Sequence, residues 1–468
     1  MNIKEIKLEL LDTIYSNLDE KKNKSINSFI KSLNNIILEN NLPIFLKVGG
    51  SYAKQTFLGN DFDVDVFLRV KNDEKKNESF DDIITKFIEI LKLKYLKINK
   101  IHGSRDYYQF VKDDVKYELV PNKYIDDLSQ ATNTTDYSPF HVDFLKKEML
   151  KNKKLNDEIR ITKMFLKACN CYGAESYINS FSGHSLDILV AYFKNFENTL
   201  EFLSKINISK KYLIDISDFY KNDFTKNIDF SISKEDYEKI KKQFDNKINS
   251  SLIIIDPIDK NRIASSALNN YRILKIKYYS KLFLETPSSF FFERNIKFKK
   301  KSNNIILKYE KNNENMDICG ANVLSIKRKL SNFLKENDFE VLDNFDFTNF
   351  RFFKRVNKRK IDEFNSKHED VFFDGNHFYL KIILKKNKIS KYKIIKGPIF
   401  EMEENTKEEI KNSIESFKNS HKNTFIKNEE NKYYIFAKEK REKRKLRFFI
   451  EDFFEKRKDI EKYVNRVK

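Results

Sequence analysis

The chain has 468 residues, of which 40% are hydrophobic and 14% aromatic. This length exceeds one compact core, so we expect two to four domains, and the apolar content excludes disorder throughout. The charged N-terminus has no signal-peptide core, and no apolar run approaches the roughly 20 residues that cross a bilayer. We therefore expect a soluble, cytoplasmic protein that does not bind membranes.

The formal net charge of +20 is concentrated in the second half of the chain. Residues 1–260 carry 41 Lys and Arg against 40 Asp and Glu, whereas residues 261–468 carry 49 against 30. An A/T-rich genome would inflate lysine everywhere, but it would also have made the first half basic. The asymmetry indicates that the second half binds a polyanion such as nucleic acid, with release of counterions.

Three cysteines occur, Cys169, Cys171 and Cys319. None of them has zinc-ligand spacing to another cysteine or to a histidine pair. We interpret them as reduced thiols, which are typical of cytosolic proteins.

The first 120 residues predict a mixed domain of helices and strands. Apolar periodicity favours helices over 3–41 and 81–94, strands over 44–48 and 61–70, and a hairpin over 107–120. Asp113 and Asp114 are interpreted as turn formers of that hairpin, and Pro121 is expected to end its second strand.

The remaining chain predicts a helix-rich segment and then a basic mixed region. We expect helices over most of 140–255, a long helix after Arg262, basic strands and helices beyond it, and a charged helix from about Ala437. The predicted domains are therefore 1–137, 138–260 and 261–468.

A glycine-rich turn precedes the second predicted strand. The chain has only nine glycines, and three of them fall within residues 49–67. Gly50 before Ser51 indicates a backbone that closely approaches another group. Free N–H groups and a hydroxyl at a helix start suit a triphosphate, and Lys54 adds a point charge one turn later. Taken alone, an ordinary turn explains the same residues.

Two carboxylates share one face of the strand that follows. Side chains alternate along a strand, so Asp63 and Asp65 project together while Val64 and Val66 pack on the other face. Two such acids repel each other unless a cation lies between them. We predict a pair of Mg²⁺ ions here, with an exposed edge strand as the open alternative.

A metal pair of this kind needs a third carboxylate from a neighbouring strand, and Glu118 is the candidate. It shares a face with Lys116 and Val120 in the predicted hairpin. The alternative, a Glu that only faces solvent, stays open.

Several motifs in order resemble those of archaeal-type (class I) CCA-adding enzymes, which belong to the polymerase-β-like nucleotidyltransferase superfamily and rebuild the CCA tail of tRNA. The match covers roughly residues 44–270. Its segments are Gly50-Ser51 with Asp63-Val64-Asp65, then Ser138-Pro139-Phe140-His141, residues 160–175, Phe181-Ser182-Gly183, and Asp256-Pro257 with Arg262. A weaker match to the family is Gly397-Pro398.

The resemblance implies a role for each matching residue. Asp63, Asp65 and Glu118 would be catalytic ligands of two Mg²⁺ ions. The nucleotide would be bound at its triphosphate by Gly50, Ser51 and Lys54, at its sugar and phosphates by His141, Lys163 and Tyr172, and at its base by Arg262. Simpler readings stay open for three of them: a core histidine for His141, a solvated helix residue for Lys163 and a packing aromatic for Tyr172. The family usually has Arg where Lys54 stands and Asp where Glu118 stands.

The resemblance also implies the fold and the reaction. The fold class would be α+β: a palm with a mixed, mostly antiparallel sheet, a helical central domain and a basic C-terminal region. The enzyme would add C, C and A from CTP and ATP to tRNA, held by its acceptor stem and T arm, without a template and without DNA, and a homodimer is compatible with this. The alternatives are a poly(A) polymerase or oligonucleotide-signal synthase on the same palm, and a non-catalytic RNA-binding protein.

Overall fold

The computed structural model of the chain forms two compact units. The first comprises Met1–Asn295 with Arg351–Asn365, and the second comprises Ile296–Phe350 with Ser366–Lys468. The structure describes residues 2–16, 20–59, 62–71, 78–95, 97–103, 105–220, 229–244, 247–294, 296, 304–310, 316–337, 339–342, 357–367, 371–385, 393–394, 412, 424–429, 432–437, 450, 453 and 464–466. The predicted three-domain division stays a prediction.

The N-terminal part of the first unit alternates helices and strands as the periodicity predicted. Its elements are α1 (Ile3–Ser16), α2 (Glu20–Glu39), β1 (Ile44–Val48), α3 (Gly50–Ala53), β2 (Asp63–Val70), α4 (Phe80–Lys94), β3 (Asn99–Ile101), β4 (Tyr107–Lys112) and β5 (Val115–Lys123). The helical segment predicted over 3–41 is described as two helices. Asp113 and Asp114 form the predicted turn, both with positive φ.

The five strands form one sheet in the order β1-β2-β5-β4-β3. β2 and β5 run parallel, and every other pair is antiparallel, which confirms the predicted mixed, mostly antiparallel palm sheet. The parallel register places Asp63 opposite Lys116 and Asp65 opposite Glu118.

One face of this sheet is covered by α2 and α4. Val64 and Val66 of β2 are fully buried there, against Phe29 of α2 and Phe87 of α4. Burying each such side chain contributes roughly 1.5–3 kcal/mol, so the apolar alternation of β2 fixes which face points inward. The acids of β2 consequently lie on the opposite, open face.

Pro121 does not end its strand, contrary to the prediction. β5 continues to Lys123 and stays paired in parallel with β2. Proline lacks an N–H and is tolerated where a strand has a neighbour on one side only. β4 pairs with β5 only as far as Leu119, and beyond it the side chain of Arg105 donates to the Pro121 carbonyl at 3.3 Å. The N–H that Pro121 lacks therefore falls beyond the point where β4 pairs with β5, so β4 does not need it as a hydrogen-bond donor.

The rest of the first unit is helix-rich, as predicted. Its elements are α5 (Ser138–Lys151), α6 (Leu155–Ala168), α7 (Gly183–Phe193), α8 (Phe196–Lys205), β6 (Lys211–Ile214), β7 (Ser231–Ile232), α9 (Lys234–Phe244), β8 (Leu252–Ile254) and α10 (Asn270–Glu285), with 3₁₀ turns at Leu128–Gln130, Thr134–Tyr137 and Ser289–Phe292. The small sheet β7-β6-β8 was not predicted, because strands of two to four buried residues show no alternation. The long helix expected after Arg262 is α10.

The second unit contains two further sheets. In chain order the strands and α-helices after α10 are β9 (Asn304–Glu310), α11 (Met316–Glu336), β10 (Val341–Leu342), α12 (Lys358–Lys367), β11 (Val371–Phe373), β12 (His377–Leu384), β13 (Lys393–Ile394), β14 (Thr424–Glu429), β15 (Lys432–Ala437) and β16 (Val464–Arg466). All of them belong to the second unit except α12, whose residues to Asn365 belong to the first. One sheet has the order β10-β12-β9-β16 with β11 on β12, and the other β13-β15-β14.

Some predictions fall on residues outside those described. They are the Gly397-Pro398 match and most of the charged helix predicted from about Ala437. At the two ends of that stretch, Ala437 ends β15 and Val464–Arg466 form β16, so these residues are not helical as predicted. Among the described helices, none combines the length and apolar character needed to cross a bilayer. All three cysteines are buried and none forms a disulfide.

Candidate active site

Three carboxylates lie on the open face of the palm sheet. Asp65 on β2 and Glu118 on β5 are register partners, and Asp63 is two residues before Asp65 on the same face. Burial, then Glu118 and Asp63, raise the pKa of Asp65 to about 7, while Lys54 lowers it. A carboxyl that keeps its proton near neutral pH marks a site with an excess of negative charge, which a cation would relieve.

Lys116 and Gln109 also contact these acids. The Lys116 ammonium lies 3.0 Å from Asp63 Oδ2 and 3.1 Å from Glu118 Oε1. Gln109 on β4 donates its amide Nε2 to the same Glu118 oxygen at 2.7 Å. Glu118 therefore points toward the other two acids, and its orientation is held by donors from two strands.

Gly50 is required by its contact with Asp65. Its φ is +57°, in the left-handed region that favours glycine, and a Cβ on it would overlap the Asp65 carboxylate. The neighbouring Gly49 N–H donates to the Asp65 carbonyl at 2.8 Å, so the turn is tied to β2 by its backbone. The close approach indicated by the glycine-poor composition is thus an approach to Asp65.

A cleft of about 420 Å³ opens between this face of the sheet and the helices α5 and α7. That volume falls within the range of small-molecule sites. Its lining residues are Gly50, Lys54, Asp65, Phe67, Gly103, Arg105, Tyr107, Glu118, Val120, Thr135, Ser138, His141, Val142 and His184. Of the residues predicted to bind nucleotide or metal, Gly50, Lys54, Asp65, Glu118 and His141 line it.

Lys54 is paired across the cleft with a carboxylate that the sequence did not reveal. Its Nζ lies 2.5 Å from Oδ2 of Asp187 on α7, and both side chains are largely buried. Ser51, predicted with Lys54 to bind triphosphate, is half-buried in α3 and does not line the described cleft. Asp187 therefore holds Lys54 in place between the palm and α7.

A cluster of cations surrounds the ring of Tyr172. Lys163 and Lys167 place their ammonium groups 5.3 and 5.6 Å from the ring centroid, a cation–π distance. Burial, then Lys167, lower the pKa of Lys163 to about 8, and Lys163 also donates to the Thr56 carbonyl at 3.3 Å. Burial likewise raises the pKa of the Tyr172 hydroxyl. Crowded, partly desolvated ammonium groups of this kind favour an anion.

His141 shares one buried carboxylate with a second histidine. Its Nε2 lies 2.9 Å from Asp256 Oδ2, and Nε2 of His184 lies 3.2 Å from the same oxygen. Burial, then His184, lower the pKa of His141 to about 4, so we assign a neutral ring that donates Nε2–H. Burial alone would raise the pKa of Asp256, but hydrogen bonds from the two imidazoles lower it and keep the carboxylate charged.

Arg262 completes this cluster. Its Nη1 lies 3.5 Å from Asp256 Oδ2, and its guanidinium is 5.5 Å from the ring centroid of Tyr137. Nη1 is buried yet has no hydrogen-bond acceptor among the described residues. The side chain is 31% exposed and pairs with Asp256 through Nη1, so the other N–H groups of the guanidinium can meet an acceptor on a bound ligand.

Two groups of side chains carry donor atoms suited to a metal, but among the described residues only the second brings three ligand atoms within 4.8 Å of one another. Asp63, Asp65 and Glu118 offer hard oxygen donors, which Mg²⁺ prefers. The ligand atoms of His141, His184 and Asp256 lie within 4.8 Å of one another, a donor set suited to a transition metal. Arg262 beside Asp256 places a positive charge there that a dication would have to overcome. The assignment of Mg²⁺ to the three carboxylates stays a prediction.

Comparisons with known proteins assign the family. The family model described as "tRNA nucleotidyltransferase, second domain" matches residues 157–293. The CCA-adding enzyme of Nanoarchaeum equitans is 30% identical to the chain over 323 residues, covering 69% of this chain and 74% of that enzyme. The chain belongs to the CCA-adding enzymes. The CCA-adding enzyme of Methanocaldococcus jannaschii is 26% identical to the chain over 358 residues, which cover 74% of this chain and 75% of that enzyme.

The enzyme also resembles solved nucleotidyltransferase structures. Cid1 poly(U) polymerase with Mg 3′-dATP bound aligns with a TM-score of 0.47 and 14% identity, covering 63% of this chain and 100% of that chain. The relatives confirm the sequence resemblance, the enzymatic class and CCA addition to tRNA, and they do not favour the poly(A) polymerase, signal-synthase or non-catalytic alternatives. The individual site assignments stay predictions.

The sequence reasoning missed residues on α7 and β4. His184 follows the recognised Phe181-Ser182-Gly183 segment directly and is one of only six histidines, so its position beside a motif was an available signal. Asp187 gave no such signal, because its partner lies 133 residues away in the chain. Gln109 faces Glu118 in the predicted hairpin, so the turn at Asp113 and Asp114 was an available signal for it.

Proposed function

We propose that the enzyme adds CTP- and ATP-derived nucleotides to the tRNA 3′ end in this cleft, with Asp63, Asp65 and Glu118 holding two Mg²⁺ ions. The observation that carries the proposal is the parallel register of β2 and β5, which sets Asp65 beside Glu118 and leaves the pKa of Asp65 near 7. Ionised carboxylates repel each other, so carboxylates that the fold nevertheless holds side by side are the expected arrangement for a cation site.

The chemistry at this site is positioning and charge neutralisation. Mg²⁺ bound there would lower the pKa of the attacking RNA hydroxyl and neutralise charge on the departing pyrophosphate. Gln109 donates to the Glu118 carboxylate, and the Gly49 N–H ties the glycine turn to the backbone carbonyl of Asp65. The Gln109 contact orients Glu118 before substrate arrives, which favours in-line transfer.

The nucleotide would lie between the palm and the helices. Lys54 and Lys163 supply positive charge for the triphosphate, with Gly50 and Ser51 contributing backbone and hydroxyl groups. His141 offers a neutral ring, Tyr172 would contact the sugar and phosphates, and the other N–H groups of Arg262 would read the base. An arginine suits this role because its planar fork donates two hydrogen bonds at once.

Replacing Asp256 is expected to impair nucleotide binding more than chemistry. Asp256→Asn removes the charge that accepts from His141 and His184 and pairs with Arg262, and a single amide oxygen cannot orient all three. Steady-state kinetics should show the KM for CTP and ATP raised about tenfold, with kcat reduced less.

The control for this change is Asp126→Asn, an equal charge change at an exposed position, which should leave both constants unchanged. A large fall in kcat at unaltered KM would mean that the cluster acts in the chemical step instead.

The basic residues 261–468 would hold the acceptor stem and T arm of tRNA through shape and phosphates, because A-form grooves hide base edges. Replacing basic residues in the segment 351–356 with Gln should flatten the salt dependence of tRNA binding by about 2 to 3 logarithmic units per decade of salt. The residues are Arg351, Lys354 and Arg355. Filter binding across a range of NaCl concentrations measures the slope.

The matched control neutralises three lysines at and just beyond the end of α4, in the near-neutral part of the chain, namely Lys92, Lys94 and Lys97. Equal slopes for the two triple variants would place the RNA away from 351–356.

We place the reaction in the cytoplasm, where tRNA is the acceptor.

The proposed substrates are tested with a tRNA that lacks its three terminal nucleotides. CTP alone should add two residues, ATP alone none, and both together C, C and A with a stop. Gel analysis at single-nucleotide resolution distinguishes these products. Untemplated A tails or soluble oligonucleotides would contradict the assignment of CTP and ATP as the paired substrates.

A further inference from the structure

Four side chains form a compact block on the cleft face of β2 and β5. Asp63 pairs with Lys116 and Asp65 with Glu118, while the residues between them on both strands are fully buried on the opposite face. Three acids and one base therefore occupy two alternate positions on each strand, on the same face of the sheet.

Lys116 bridges two of the acids. Its ammonium lies 3.0 Å from Asp63 Oδ2, across the pair of strands, and 3.1 Å from Glu118 Oε1, along β5. The side chains of Lys116, Asp63 and Glu118 are 40%, 44% and 19% exposed. Ion pairs with this much solvent contact are weak individually, so they can exchange for a stronger ligand.

A divalent ion would compete with the ammonium for these oxygens. Mg²⁺ is bound at about 2.0–2.1 Å, and a like charge within a few ångströms of it is strongly repelled. The flexible four-carbon stem of lysine can carry the ammonium from the block into solvent.

We propose that Lys116 is a displaceable counterion of the metal site. In the metal-free enzyme it bridges Asp63 and Glu118 and limits their repulsion, and a divalent ion displaces it on binding. This inference rests on the proposed function, in which Asp63, Asp65 and Glu118 hold the metal. Lys116 is then a positioning residue that weakens metal affinity while it preserves the shape of the metal-free site.

Calorimetric titration of Mn²⁺ into the full-length, metal-free enzyme tests the proposal. Lys116→Met should tighten Mn²⁺ binding about tenfold, whereas Lys116→Arg, which keeps the charge, should stay near wild type. The matched control is Lys112→Met, because Lys112 lies on the same hairpin and pairs with Asp113 at 2.6 Å, away from the block. It should change the affinity by less than about twofold.

Thermal unfolding gives a second measurement that a merely structural lysine would not reproduce. Lys116→Met should lower the Tm of the metal-free enzyme at pH 8, and the deficit should vanish at saturating Mn²⁺. An equal deficit with and without Mn²⁺ overturns the proposal, as does an affinity no different from that of Lys112→Met. If Asp65→Asn binds Mn²⁺ as tightly as wild type, the metal site itself is wrong, and the proposed function fails with it.

Discussion

Asp65→Asn is expected to lower kcat for nucleotide addition by about three orders of magnitude or more, while tRNA affinity stays nearly unchanged. Asn keeps the size of the side chain but cannot supply the negative charge that the metal requires, and Asp65 lies in the cleft rather than on the basic second half. Single-turnover assays and filter binding on the same preparation measure the two quantities.

The same variant should be more stable than wild type when metal is removed. The pKa of Asp65 is raised from 3.8 to about 7, so between those values the folded protein binds more protons than the unfolded chain. Wild-type stability from this group therefore falls as pH rises through that window, by at most about 4 kcal/mol, and Asn does not titrate. The Tm difference in EDTA should grow from pH 5 to pH 7 and then level off.

The control is Asp114→Asn, at an exposed turn position with φ of 55° that Asn adopts readily. It should leave activity and the pH profile of Tm unchanged. A large loss of tRNA binding by Asp65→Asn, or a lower Tm at pH 8 without metal, would show that the carboxylate is structural.

Gly50→Ala is expected to reduce activity about a hundredfold or more. The added Cβ would overlap the Asp65 carboxylate, and the left-handed backbone at Gly50 strains any other residue. Relief requires moving either the turn or Asp65, and displacing a metal-binding carboxylate by even 1 Å is costly for catalysis. Single-turnover rates and Mn²⁺ affinity should fall together.

Gly59→Ala separates the clash from the backbone strain. Gly59 has a similar φ of +62°, but a Cβ there meets no heavy atom of the described residues within 4 Å. Both variants therefore carry the same strain of about 1 kcal/mol, and only the first disturbs Asp65. Equal activity of the two variants would contradict the role given to Gly50.

The palm was predictable because its information is local. The alternation of β2 and the turn at Asp113 and Asp114 specify the strands, and the spacing of Asp63 and Asp65 specifies their shared face. The pairing of Asp65 with Glu118 could be anticipated only as a requirement of the chemistry, since no local pattern encodes a parallel register between distant strands.

The rest of the site depends on tertiary packing. Lys54 meets Asp187, and His141 meets Asp256, across 133 and 115 residues of chain. No spacing rule links such positions, so the sequence identified single members of each contact and not the pairs. Pro121 was misread for a related reason, because its tolerance follows from where β4 stops pairing and not from its own neighbours in the chain.

The most direct test is a crystal structure of the enzyme with Mn²⁺ and a non-hydrolysable CTP analogue, using anomalous scattering to locate the metal. We predict manganese bound by Asp63, Asp65 and Glu118, with the triphosphate beside Lys54. Manganese at His141, His184 and Asp256 instead, with the three acids of the palm directed into solvent, would contradict the account.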